Sequence, residues 1–249
     1  MFYNPVLLRA VCTGLLLISS YVNFAQERWQ IGADAAFSLQ RFRSDDRSGV
    51  FKPRFNTVSG IGGLHVSRHL SRYDAWAETG LLYTPLDASV AEANQRGYWG
   101  VGTGSGLWII PTLLRKDAIL QRPGTYFKPR TTARLSFSAG IQHQFLVSQA
   151  GWRTASGSSG NGSGLSYTVR TIPMHSYNPA LFAEFAIRLL LIRRRLHVLV
   201  RFNATLGLRR LIRTDIRYVT STTAKPQQAT VSYNGSATGW GIGLRYLIY

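Results

Sequence analysis

Five histidines, a handful of carboxylates and many arginines are the side chains in this sequence that could hold a metal, a proton or an anion. His65 and His69 fall on one face of any strand that carries them, yet four residues of strand rise put them ~13 Å apart. That is too far for one metal held at bonds of ~2 Å. Nucleophilic catalysis needs a histidine within reach of a hydroxyl, thiol or carboxylate, and no spacing in the sequence sets up such a group. The expectation is therefore a protein that is not an enzyme, with no catalytic residue, cofactor or metal to assign. The Gly/Ser run Ser156 to Gly164 lacks the terminal Lys-Ser/Thr of a nucleotide-binding loop and is expected to be a flexible surface loop. Arg193-Arg194-Arg195 could grip the phosphates of nucleic acid or of lipid headgroups, and the compartment decides between them.

The N-terminus indicates that compartment. Met1 to Ala25 has one basic residue, Arg9, then an apolar run from Ala10 to Val22, then Asn23-Phe24-Ala25 before Gln26. This is the layout of a secretory signal peptide ending in a small residue, and the apolar run is too short for a spanning helix, which needs ~20 residues. The domains expected are thus 1–25, signal peptide, and 26–249, one folded unit. Cys12 is the only cysteine and leaves with the signal peptide, so no disulfide or thiolate metal site holds the mature chain. Removing Arg9 leaves 28 basic side chains against 11 acidic, a net +17. Such a charge calls for an anionic partner, and export makes that partner lipid or lipopolysaccharide, not nucleic acid.

The elements that must position these groups are strands. Trp29 to Phe42 alternates Trp29, Ile31, Ala33, Ala35, Phe37 and Leu39 against Gln30, Gly32, Asp34, Ala36, Ser38 and Gln40. Period-two alternation marks a strand with two environments. The same pattern recurs in Arg130 to Ser148, where His143 interrupts the apolar face, and in Leu196 to Arg209. Eight strands are predicted: 29–42, 59–70, 73–84, 97–114, 130–148, 178–191, 196–210 and 236–249. Many are far longer than the ~5–6 residues usual in soluble sheets, and a tilted membrane-crossing strand needs ~9–11. Long links (43–58, 85–96, 150–177, 211–235) alternate with tighter ones at Ser71-Arg72 and Ile192 to Arg195; only Arg115 to Pro129 breaks that rule. The fold class expected is all-β: an eight-stranded antiparallel transmembrane β-barrel with short periplasmic turns and long extracellular loops.

In that barrel the wet face points inward, and eight strands leave a lumen that side chains fill. The alternation sends Asp34, Glu78, Glu184, Arg134, Arg188, Arg201, Arg209, Arg245, His65, His69 and His197 inside, where they are expected to pair as a structural plug. Glu184 should lie across from Asn203 and diagonal to Arg201. In the last strand Trp240, Ile242, Leu244, Tyr246 and Ile248 should point out, and Gly239, Gly241, Gly243 and Arg245 in. Arg193, Arg194 and Arg195 are expected at the lipid-headgroup interface, and the loop aromatics Trp152, Tyr167, Tyr177 and Tyr233 at the contact surface for a ligand.

Several segments resemble the PorT-like outer-membrane β-barrel family: Phe24-Ala25-Gln26, Gly80 to Tyr83, Trp108 to Arg115, Ala139-Gly140-Ile141, Arg201 to Leu208 and the closing Gly241 to Tyr246. The resemblance runs over nearly the whole mature chain, through strand patterns of loose spacing. It implies an eight-stranded barrel in a Gram-negative outer membrane, and a branch of the family that assists secretion suggests an accessory role there. The leading expectation is an envelope-structural or partner-binding barrel. A secretion or assembly accessory and a lipid-modifying barrel enzyme are the alternatives. The partners expected are outer-membrane lipids, lipopolysaccharide, the barrel-assembly machinery during insertion and an envelope protein.

Overall fold

The computed structural model describes residues 28–45, 51–53, 57–92, 98–119, 132–148, 153–158, 166–191, 195–220 and 223–248. The signal-peptide assignment, Trp152, Arg193, Arg194 and most of the Arg115 to Pro129 link lie outside them. The described strands are β1 (Trp29–Asp45), β2 (Phe51–Pro53), β3 (Thr57–Leu70), β4 (Ala75–Glu92), β5 (Tyr98–Ile119), β6 (Thr132–Ser148), β7 (Arg153–Ser158), β8 (Ser166–Pro173), β9 (Tyr177–Leu191), β10 (Leu196–Gly207), β11 (Ile212–Thr220) and β12 (Thr223–Ile248).

Eight of them close into a barrel in the order β1-β3-β4-β5-β6-β9-β10-β12, all neighbours antiparallel, with β12 returning to β1 from Trp29↔Ile248 to Gln40↔Ala237. Closure leaves no edge strand in the ring, so its backbone donors and acceptors find partners along the wall. Across the β9–β10 turn Leu189 pairs with Val198 and Arg188 with Leu199, in the register that sets Glu184 opposite Asn203. The β3–β4 turn is two residues longer than the expected Ser71-Arg72 link. Leu70 pairs with Ala75 across a 3-10 turn, Ser71–Tyr73, and Asp74 at φ 45. Because the change is two residues, each side chain keeps its face.

The wall is tight where glycines let strands approach. A Cβ on Gly140 would lie 2.2 Å from the backbone oxygen of Thr112, and one on Gly63 would lie 2.2 Å from that of Leu81. Outside the wall, Tyr83 lies over Gly106 and packs against Trp108, ring centroids 5.1 Å apart. Gly106 is thus an aromatic seat.

Two predicted loops are strands. The 150–177 stretch contains β7 and β8, and the 211–235 stretch contains β11 and the upper half of β12. β10 and β11 both run antiparallel to β12, so they form one line broken at 208–211; β8 and β9 form another, broken at 174–176. Hydrogen bonds carry the ladder across the breaks: Met174 N donates to Leu211 O at 2.8 Å, and Leu211 N to Tyr233 O at 2.8 Å. Asn178 braces the junction by accepting from the Leu208 and Arg209 amides at 3.1 and 2.7 Å. Gly235, at φ 83, takes the left-handed turn that an L side chain resists, and a Cβ there would meet Gln144 Oε1.

The polarity of the wall inverts at this junction. Below it the outward face is apolar, with Ile31, Phe37, Leu181, Phe202, Trp240 and Ile242 exposed, while Gln30, Asp34, Ser38 and Gln40 of β1 point in and are buried. Above it Phe42, Ile212, Ile216, Tyr218, Val231 and Tyr233 are buried in one apolar core, while Arg41, Arg170 and Arg217 face out. Tyr233, expected among loop contacts, is therefore a core residue. An apolar interior with a charged exterior is how a sheet meets water; the reverse arrangement below the junction is unfavourable in water.

Candidate functional site: the charged lumen

The lumen of the lower barrel is packed with paired charges in two tiers. Asp34 on β1 is the hub of the first. Its Oδ1 accepts from Arg245 Nη1 at 2.6 Å; its Oδ2 accepts from Arg201 Nη1 at 2.8 Å and Arg245 Nη2 at 2.9 Å, with His65 Nε2 at 2.5 Å. Arg201 also reaches Glu184 Oε2 at 3.4 Å, and Glu184 pairs across the ladder with Asn203 as the alternation required. Three other strands, β3, β10 and β12, thus put polar atoms on this one carboxylate of β1. The close approach depends on glycine: Gly243 stands opposite Asp34, and a Cβ there would lie 2.4 Å from Asp34 Oδ1.

The second tier, nearer the chain termini, is built on Arg115. Its Nη1 pairs with Glu78, its Nε donates to Asp117 Oδ1 at 3.1 Å, its Nη2 donates to Gln30 Oε1 at 3.0 Å, and its guanidinium lies 4.9 Å from the Trp76 ring centroid. Asp117 also accepts from Ser136 at 2.7 Å. Arg188 Nη1 donates to the same Gln30 oxygen at 3.2 Å and lies 3.3 Å from His197 Nδ1 and 3.7 Å from Asp117.

Asp34, Glu78, Glu184, Arg188, Arg201, Arg245, His65 and His197 are all buried inside, and Arg134 is half-buried on the inward face of β6. Two expected members are elsewhere. Arg209 is exposed, because β10 ends at Gly207 and the chain breaks before it. His69 sits at the mouth, 3.5 Å from Asp74 and tilted against Trp76, outside the Asp34 cluster. Two members were missed: Arg115 and Asp117, which the sequence reading placed in a link. β5 runs on to Ile119, and the period-two series Leu113, Arg115, Asp117 was the signal that the strand continues.

The expected interface and contact residues fare unevenly. Arg195 is exposed where β10 begins. Tyr167 lies on β8, a strand and not a loop. Tyr177 opens barrel strand β9, half-buried, with its hydroxyl 2.9 Å from His143 Nδ1 and its ring 5.3 Å from that of Phe145. That bond gives His143, the break in an apolar face, a polar partner.

Between the charge tiers and the upper apolar core the lumen holds a space of about 30 Å³, bordered by Leu107, Ile109, Pro111, Gln144 and Glu184. That is room for a water or two. Among the described residues no group of three or more His, Cys, Asp or Glu could hold a metal, and no helix is long and apolar enough to cross a membrane. The arrangement fixes charges in place.

No protein-family model and no curated protein matches the chain. Among solved structures it is similar to the outer membrane protein OprG from Pseudomonas aeruginosa, at 10% identity and a TM-score of 0.43 over 89% of this chain and 96% of that one. It is also similar to a major outer membrane protein from Thermus thermophilus, at 10% identity and a TM-score of 0.39 over 90% of this chain and 100% of that one. The barrel and its lumen rest on this chain's own geometry.

A double-mutant cycle probes the first tier. Glu184→Ala is expected to destabilise the folded barrel by about 1–3 kcal/mol, the range for a buried charge-assisted contact. Arg201→Ala on top of it should be less costly than on the native background. Additivity within about 0.5 kcal/mol in urea unfolding would mean that the pair does not interact.

Proposed function

We propose that this protein is a non-enzymatic barrel of a Gram-negative outer membrane, structural in the envelope or binding a partner through the water-facing wall that surmounts it. The inversion of polarity along continuous strands carries this reading. The same sheet is apolar-out and charged-in over its lower half and charged-out and apolar-in above, so one chain meets two solvents, and the lower one is hydrocarbon. Only a structure that pairs its backbone internally survives there, and a closed ring does so. The filled lumen argues against transport of large solutes and for a scaffold.

The finer parts of the reading come from the sequence. Export by the signal peptide, membership of the PorT-like family, contact with lipopolysaccharide and lipid headgroups, and insertion by the barrel-assembly machinery all belong to it. Outward Arg41, Arg170 and Arg217 give the upper wall a cationic exterior suited to anionic sugar-phosphate surfaces.

Cell fractionation followed by protease treatment of intact cells tests this. The protein is expected in the detergent-requiring outer-membrane fraction, with cleavage confined to exposed sites above the junction such as Arg170 and Arg217. Recovery of the processed chain as a soluble species without detergent would overturn the proposal.

A further inference from the structure

The second charge tier is not balanced. Arg115, Arg134 and Arg188 face two carboxylates, Glu78 and Asp117, and Arg115 uses all three of its nitrogens on Glu78, Asp117 and Gln30. Arg134 on β6 is the direct cross-strand partner of Arg188 on β9. Like charges placed opposite each other in a ladder are destabilising unless something stands between them.

The guanidinium of Arg188 shows where that something would bind. Arg188 is 0% exposed, and its interactions with Gln30, His197 and Asp117 all run through Nη1. Its Nε and Nη2 are buried with no hydrogen-bond partner among the described residues, and so is Nε of Arg134. Nε and Nη2 form the side-on edge of a guanidinium, the fork that takes two oxygens of one carboxylate or phosphate. A buried donor without an acceptor is costly, and a charged one more so. Arg188 thus presents an intact, unused bidentate edge in a dry environment beside a second cation. Arg134 is only half-buried and lies near the start of β6, which gives the pair access from the mouth at the chain termini.

We propose that Arg134 and Arg188 form an oxyanion site at the terminal mouth of the lumen, taking a phosphate group on the Nε–Nη2 edge of Arg188 with Arg134 closing over it. The phosphate is either free or the headgroup of a phospholipid at that end of the barrel. The site depends on the lumen geometry alone and not on which membrane holds the barrel.

The test uses the purified full-length protein in a non-ionic detergent. Inorganic phosphate is titrated calorimetrically against chloride at matched ionic strength, and detergent-solubilised phosphatidylglycerol is titrated in a second arm. Saturable binding is expected in at least one arm, and the arm that responds identifies the source. Arg134→Gln, at a half-buried position, should weaken it about tenfold or more, the loss of one charge-assisted hydrogen bond. Arg170→Gln, exposed on β8 above the junction, should leave it unchanged. The proposal fails if neither probe saturates, if Arg134→Gln binds as the native protein does, or if Arg170→Gln weakens binding as much, since the effect would then be general surface charge.

Discussion

Replacing Asp34 with alanine is expected to lower the unfolding free energy of the barrel by about 3–5 kcal/mol, the usual cost of removing one partner from a buried charge cluster. The reason is the number of groups that depend on this carboxylate. Arg245 makes two ion-pair contacts to Asp34 and otherwise, among the described residues, reaches the carbonyls of Ala33 and Leu244, at 3.4 and 3.2 Å. Arg201 retains Glu184 at 3.4 Å. Asp34→Ala therefore strands Arg245 more than Arg201, and adding Arg245→Met should recover part of the loss while adding Arg201→Met recovers less. Urea unfolding of the protein refolded into detergent micelles measures this. A loss below about 1 kcal/mol for Asp34→Ala would mean that the lumen charges are individually solvated and the plug is not cooperative.

The second large effect distinguishes a lipid-facing wall from a water-facing one. Ile242 points outward near the middle of the lower barrel, between Ala35 and Val200 on the neighbouring strands, and is 53% exposed. Ile242→Arg is expected to destabilise the barrel folded in bilayers by about 2–4 kcal/mol, the cost of a charge at the bilayer midplane. Thr168→Arg, on the exposed face of β8 above the junction, should stay within about 0.5 kcal/mol, as surface substitutions do. Were the two variants equivalent, the lower belt would be facing water, and the inversion of polarity would need another explanation.

The sequence resolved the lower barrel well because its alternation is local. Period two along Trp29 to Leu39 and Leu196 to Gly207 assigns each side chain to a face without knowledge of any partner strand, and the turn parity at Arg188–Leu199 then fixes the register. It failed where the signal changes meaning. Ile212, Thr214, Ile216 and Tyr218 alternate with Arg213, Asp215 and Arg217 as cleanly as any barrel strand, but their apolar face is the inner one, and a stretch joining two membrane strands reads by length as a loop. Arg115-Lys116-Asp117 failed for a related reason: three consecutive charges look like a solvated link, although two of them lie on the buried face.

The chain alone determined that eight long segments each have one apolar and one polar side and that the inward side carries Asp34, Glu184, Arg201 and Arg245. These follow from residue type and period, which are properties of neighbours along the chain. The tertiary structure decided which charges meet, that Asp34 serves two arginines and a histidine, that Arg115 supplants Arg209 in the lumen, and that Arg188 keeps one edge of its guanidinium unused. Those facts depend on strand stagger and on how far each strand continues past the ring. Closure of the barrel sets both, since it brings β12 to β1 across more than two hundred residues of sequence.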